Sequence, residues 1–392
     1  MTATATSGQL HVGTTDLLEH AKRIEPLLRE QAADGEAAGE LTPDVVAALD
    51  EGRTLGMWVP TAVGGSELTP RQSLEVLEQL ALGDPSTSWV VMAASLAVGV
   101  AGAYLPDAGV AEIFTGDRIP VMAGQGTRPG TAKPVDGGYE VSGSWSFASG
   151  IKHAGWIHTA AIIEGTGEPR IFNLRVEQAT LIDNWDVLGL RATGSIDYDI
   201  DSVFVPEERS HPVLIDVPLR GGGLYRLGII NIGCICHSGW ALGVGRRLLD
   251  ELRELVVAKA GRAGTFTDSD AFHDGFAEAE ARLRAARAFV FEAWADVEAS
   301  LDVGQPCSVR QDTLVRLALN NVTWSVHAVA EFVYAAAGTT ALREGAIQRY
   351  FRDLHAGTQH ITSAPAVKQA CGRELAGLAD GKRWVFLDLA DA

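Results

Sequence analysis

The sequence predicts an α+β protein in three consecutive parts: an N-terminal helical domain over residues 1–118, a central β domain over 119–215 and a C-terminal helical bundle over 216–392. Three observations predict it. Apolar residues recur at helical spacing through the first part. Short β-branched runs broken by Gly, Pro and Asp fill the second. The third carries helical periodicity over stretches longer than ordinary helices, as a four-helix bundle does.

Taken in order, residues 14–35 read as a helix, with Leu17, Leu18, Ala21, Ile24 and Leu28 on one face and Lys22, Arg23 and Arg29 outside. Thr42-Pro43-Asp44 starts a second helix that runs through Leu49 and ends at Gly52 to Gly56. Pro60 to Gly65 is a loop, Thr69-Pro70 opens a helix through Leu82, and Asp84-Pro85-Ser86 starts an apolar one. Strands are expected at Tyr139–Phe147, Ile157–Glu164, Arg170–Arg175, Thr180–Trp185 and Asp197–Val205. Helices return at Ile229–Lys259, Phe272–Leu301, Arg310–Ala336 and from about Gly345.

Within the β part, Gly137 to Gly150 stands out. Tyr139, Val141 and Gly143 alternate with Glu140, Ser142 and Ser144 after a Gly-Gly turn, the pattern of a strand leaving a hairpin. Trp145 and Phe147 then share a face and are followed by a hydroxyl, Ser149. Such a run can wall a pocket for a flat ring or simply fill a core.

A net charge of −18 argues against a broad nucleic-acid footprint, which needs clustered Lys and Arg, and gives no reason to expect an anionic membrane partner. Four scattered cysteines are too few for a disulfide scaffold and read as reduced thiols in a cytoplasmic protein. Cys234-Ile235-Cys236-His237 lacks zinc or haem spacing and lies in an apolar, Gly-rich stretch, so buried helix packing is expected and no metal site is assigned. The N-terminus has neither basic flank nor apolar h-region, hence no signal peptide is expected, and the apolar run from Trp89 to Leu105 reads as a buried helix. No G-x-G-x-x-G follows a strand, and Gly239, Gly243 and Gly245 fall in a helical pattern that suits close packing. P-loop and G-x-S-x-G motifs are also missing.

Five blocks in this order carry a resemblance. They are Gly138-Tyr139…Gly143…Trp145…Phe147-Ala148-Ser149-Gly150; Gly189-Leu190-Arg191-Ala192-Thr193-Gly194-Ser195; Val203-Phe204-Val205-Pro206; Arg352-Asp353-Leu354-His355; and His360. With the helix–β–helix order they resemble the acyl-CoA dehydrogenase superfamily from about Thr42 to Gly372. They look most like its two-component flavin-dependent monooxygenase branch, which includes 4-hydroxyphenylacetate hydroxylases, dibenzothiophene monooxygenases and amino-sugar N-oxygenases.

One residue type separates the branches. Acyl-CoA dehydrogenation needs a carboxylate base over the flavin. The segment His355 to Ile361 holds no carboxylate, and the alternative position reads Tyr225 before Arg226. The resemblance therefore implies an oxygenase that receives reduced FMN or FAD from a separate NAD(P)H:flavin reductase. It would transfer one oxygen atom from O2 through a flavin C4a-hydroperoxide to an aromatic, polyketide-like or amine substrate. His360 would supply a proton to the nascent peroxide and hold it. Ser149 would face flavin N5 and slow loss of H2O2. Trp145, Phe147, Trp185 and Ser195 would line the flavin. His355 would either join them or cap its helix. Arg262 would reach the flavin phosphate of a neighbouring subunit or stay solvated, the former implying a homotetramer or at least a dimer.

There is one departure. Phenol hydroxylases of this branch carry a histidine in the helix after Ser-Thr-x-Trp, and here Ser86-Thr87-Ser88-Trp89 is followed by none through Gly99. That speaks against simple phenol ortho-hydroxylation and leaves room for a larger polyketide or indole ring, or for nitrogen oxidation. A dehydrogenase-like oxidoreductase with another base and a non-catalytic flavin-binding relative are the rival readings.

Overall fold

The computed structural model describes residues 14–260 and 266–391. It opens with α1 (Thr14–Ala38), α2 (Pro43–Glu51), α3 (Pro70–Gly83), α4 (Pro85–Tyr104) and α5 (Asp107–Ile113). Helix starts are written locally. Thr42 caps α2, Thr69 and Gln72 form a reciprocal capping box on α3, and Asp84 caps α4 while accepting the Thr87 hydroxyl at 2.7 Å. Each side-chain cap is worth about 1 kcal/mol, and Pro occupies the first turn in all three, where a missing N–H is harmless. α5 was not expected because seven residues barely complete two turns of a period.

The strands are β1 (Met122–Ala123), β2 (Gly130–Val135), β3 (Gly138–Trp145), β4 (Trp156–Ile163), β5 (Pro169–Arg175), β6 (Thr180–Ile182), β7 (Asp197–Pro206) and β8 (Ser210–Pro212). They form one sheet in the order β6-β7-β3-β2-β4-β5-β8, with β1 parallel to β4. The five expected strands are present, the fourth shortened to three residues. β1, β2 and β8 escaped the sequence because they are short or carry Gly, Lys and Pro. A register shift between Val141 and Gly143 lets the Trp145 ring lie flat over the strands: a Cβ on Gly130 or Gly143 would come within 2.4 or 2.8 Å of it.

The chain continues through α6 (Gly228–Lys259), α7 (Asp270–Asp302), α8 (Val309–Ala337), α9 (Ala346–Gly357) and α10 (Pro365–Leu375), then a hairpin of β9 (Lys382–Val385) and β10 (Asp388–Asp391). The single last helix expected from Gly345 is thus two helices. α9 stops at Gly357, a 3-10 turn at Ile361–Ser363 follows, and Pro365 opens α10 at a first-turn position where no N–H is needed. α6 packs along α3 and α8, and one apolar core runs through both helical parts while the sheet keeps a second. The Pro85–Tyr104 and Gly223–Lys259 helices are long and apolar enough to cross a membrane, yet 89% and 78% of their most apolar windows are buried inside the protein. They are core helices.

Candidate active site

Three separate elements converge on Trp89, in the second turn of α4. Its indole N–H donates to Ser149 Oγ at 3.2 Å. Its ring meets His237 of α6 and His360 of the α9–α10 break edge-on, with centroids 5.1 and 5.9 Å away. Trp240 packs on it at 5.0 Å and anchors α6 to α4 by donating its own N–H to Pro85 O at 3.0 Å. The glycines fix α6 from the other side. A Cβ on Gly239 would sit 2.9 Å from Leu77 Cβ, and one on Gly243 only 2.2 Å from Glu78 O, so the close packing expected of these positions is what they do.

Ser149 heads a chain of hydroxyls whose direction can be worked out. Thr193 Oγ1 lies 2.7 Å from the Leu190 carbonyl, which can only accept, so Thr193 donates there. Ser195, 2.6 Å from Thr193 Oγ1, must then donate to Thr193, and Ser149, 2.8 Å from Ser195, must donate to Ser195. Ser149 also accepts from Trp89. Its one proton and one of its two lone pairs are therefore committed, and a single lone pair remains.

The loop bearing Ser195 is bolted to α9. Leu190 N–H donates to Asp353 Oδ1 at 2.6 Å, and Arg352 donates to Leu188 O at 2.9 Å while pairing with Glu36. Gly189 lies so close that a Cβ there would be 2.2 Å from Arg352 O. This is the reason the Gly189–Ser195 and Arg352–Asp353 blocks belong together. Asp353 is fully buried, its second oxygen has no partner, and burial, reinforced by the nearby Asp84, pushes its carboxyl up to about 8.

The two histidines stack at 4.0 Å between centroids and 28° between planes. Burial lowers His237 to about 4 and holds His360 well below its usual range, His237 adding to the latter effect. Both are neutral at pH 7, but their hydrogen sits on different atoms. His237 Nδ1 faces the Gly233 carbonyl at 3.3 Å, so it carries the proton and Nε2 is a bare acceptor. His360 Nδ1 receives the Thr362 backbone N–H at 3.4 Å, with the Thr362 hydroxyl at 2.8 Å, so the proton is on Nε2. Among the described residues no carboxylate hydrogen-bonds or ion-pairs with Trp89, Ser149, His237 or His360.

Ser149, Ser195 and His360 thus fall within one cluster. Phe147 and Trp185 adjoin it, edge to face at 6.1 Å. Phe147 is 60% exposed and held at φ +68, a strained conformation for a bulky residue and one that displays the ring. Trp145 is a correction. It is 1% exposed, stacks on Tyr198 at 5.4 Å and donates to Ala160 O, so it belongs to the sheet core rather than to a cofactor wall. Strand alternation put it on Phe147's face, but the strand ends at Trp145 and the positive φ of Phe147 turns the next ring outward. His355 bonds its own helix through Phe351 O at 2.7 Å and packs on His327, apart from the cluster. Tyr225 is also elsewhere, its hydroxyl on Trp58 O at 2.7 Å. Arg262 lies outside the described residues. Trp89 and His237 were not anticipated as site residues. The cysteines of the Cys234–His237 run are indeed buried packing residues, burial pushing Cys234 up to about 11. A polar ring directly after Cys236 on an apolar helix was the signal for His237.

The chain matches the acyl-CoA dehydrogenase N-terminal domain over residues 20–105 and the acyl-CoA dehydrogenase C-terminal domain over residues 235–365, together more than half of its length. It is 29% identical to an indole-3-acetate monooxygenase of Pseudomonas putida over 93% of this chain and 95% of that one. It is 28% identical to HsaA, the oxygenase subunit of a flavin-dependent monooxygenase of Rhodococcus jostii, over 89% and 94%. The structure of XiaF from Streptomyces, solved with FADH2 and glycerol, superposes with a TM-score of 0.83 at 26% identity over 93% and 96% of the two chains. The chain belongs to the acyl-CoA dehydrogenase superfamily.

Proposed function

We infer that this protein is the oxygenase component of a two-component flavin-dependent monooxygenase. It takes reduced flavin from a separate reductase and puts one atom of O2 into an aromatic substrate. The observation that carries this is the make-up of the cluster: two neutral imidazoles and a serine, with no carboxylate to abstract a proton from an acyl-CoA.

The residues fit a flavin. Phe147 and Trp185 offer an exposed aromatic face beside Ser149. The open lone pair of Ser149 can accept the N5–H that reduced flavin has and oxidised flavin lacks. When bound, reduced flavin supplies the two electrons that split O2 between product and water. His360, with its proton on Nε2, can donate a hydrogen bond to developing negative charge on oxygen without first becoming charged. Its neutral state is the one its desolvated surroundings favour. Trp89 shields Ser149 from the helical side and fixes its hydroxyl.

FAD is favoured by the FADH2 bound in XiaF, and FMN remains the alternative to test. An aromatic substrate is favoured by the indole-3-acetate named for the Pseudomonas relative. We assign a homotetramer in the cytoplasm, supported by free cysteines and by exposed apolar residues such as Val257 and Leu342. Light scattering tests the assembly; a monomer would refute it.

The test of function supplies NADH, a flavin reductase, FAD or FMN, and indole-3-acetate under 18O2. One 18O atom in the product supports the reading. Anaerobic bleaching of bound oxidised flavin by an acyl-CoA, without reductase, overturns it in favour of a dehydrogenase.

A further inference from the structure

One nitrogen at the centre of the site has no structural employment. His237 Nε2 is a bare acceptor because Nδ1 holds the proton toward Gly233 O. The ring is 8% exposed, and Nε2 has no hydrogen-bond partner. Native interiors seldom leave a buried acceptor empty. The ring cannot easily turn away, since it is stacked on His360 and edged by Trp89, while Gly239, Gly243 and Trp240 pin the helix that carries it. It meets the ring of Trp89 edge-on, and the indole N–H of Trp89 is given to Ser149. At the same level α4 contributes the Met92 carbonyl, already taken by the Cys236 thiol, and no histidine.

Resting on the monooxygenase reading above, we propose that His237 Nε2 is the acceptor for a hydrogen-bond donor on the substrate, which selects aromatic rings bearing an N–H or O–H. Ser149 and Nε2–H of His360 then serve the flavin side and the oxygen, and His237 sets which edge of the ring is presented. The imidazole acts here as a specificity-determining group, preorganised by packing before substrate arrives.

The test compares indole with 1-methylindole, which differ in one donor, by anaerobic calorimetric titration into the protein carrying reduced FAD. Wild type should bind indole about tenfold more tightly, the worth of one hydrogen bond to a buried acceptor. His237→Phe keeps the stacked ring and should bind both probes equally. His237→Gln restores an acceptor oxygen and should recover part of the preference. All three proteins should bind reduced FAD alike. Equal binding of the two probes by wild type, binding of neither, or an unchanged preference in His237→Phe overturns the proposal. A tenfold loss of reduced-FAD affinity in His237→Phe also overturns it, assigning the nitrogen to the flavin. Failure of the monooxygenase reading appears separately, as wild type that binds no reduced flavin or incorporates no 18O.

Discussion

The direction of the hydroxyl chain makes a prediction about redox preference. The chain runs Trp89 N–H to Ser149, Ser149 to Ser195, Ser195 to Thr193, and Thr193 to Leu190 O, over 3.2, 2.8, 2.6 and 2.7 Å. Ser149→Ala removes the shared atom, strands the Trp89 donor and leaves Ser195 without the donor it accepts from. The loss should cost about 1–3 kcal/mol of stability. Scaling unfolding entropy with chain length, that is a fall in Tm of a few degrees. The missing lone pair should weaken reduced-flavin binding by roughly two- to tenfold and leave oxidised-flavin binding nearly unchanged.

Ser195→Ala breaks the same chain one link further on and lowers the preference for reduced flavin by another route, through the oxidised form. Ser149 loses its acceptor, so its proton is free to turn toward oxidised flavin N5, and the oxidised form should gain affinity relative to the reduced. Anaerobic titrations of both variants with dithionite-reduced and oxidised FAD read the ratio directly. If Ser149→Ala weakens both redox states equally, or if Ser195→Ala leaves oxidised-flavin affinity unchanged, the assigned direction of the chain is wrong.

Three further outcomes follow from the same geometry. His360→Ala should bind reduced flavin within about twofold of wild type, while H2O2 formed per NADH consumed rises toward one; unchanged coupling would remove His360 from the chemistry. Asp353 is raised from 3.8 to about 8, so the folded state holds its proton more tightly than the unfolded chain. Its stability contribution is full below about pH 4 and is lost as pH rises to about 8, with a slope approaching about 1.4 kcal/mol per unit. Asp353→Asn keeps the bond from Leu190 without titrating, and melts from pH 4 to 8 should fall less steeply than those of wild type; parallel curves would show Asp353 ionises normally. Gly189→Ala would place a methyl 2.2 Å from Arg352 O, prising the Leu190–Ser195 loop off α9. Reduced-flavin affinity and Tm should fall together, and a change in neither would mean the loop is not held there.

Much of the fold was legible because its signals are local. Caps at Thr42, Thr69 and Asp84 lie within three residues of the groups they satisfy, and the long helices repeat their apolar face many times over. β2 was hidden because the alternation of Thr131 and Lys133 around one buried Ala132 is too short a pattern to register. The site divided along the same line. Ser149, Ser195 and His360 lie in recognisable blocks, whereas Trp145 shared Phe147's apparent face until the backbone left the strand at φ +68. Trp89 and His237 act through partners 60 and 123 residues away, Ser149 and His360, which no local pattern announces.

The two histidines show why even a correct list of residues would have been incomplete. They share a stacked contact, lowered basicity and a neutral state, so composition and packing give them one chemistry. What separates them is the backbone group each ring meets: a carbonyl one turn back on α6 for His237, an N–H two residues on for His360. A carbonyl compels the facing nitrogen to carry hydrogen, and an N–H compels it not to. The remaining nitrogens are therefore an acceptor on one ring and a donor on the other, 4.0 Å apart between ring centres. A pair wired in this way can accept from a substrate donor and donate to oxygen at once, with no net charge brought into a buried site. Replacing Thr362 by Val would test the wiring on one side only: the backbone N–H stays, so His360 should keep its tautomer and its coupling of NADH to product, and a rise in H2O2 would mean that the hydroxyl, not the backbone, holds the ring.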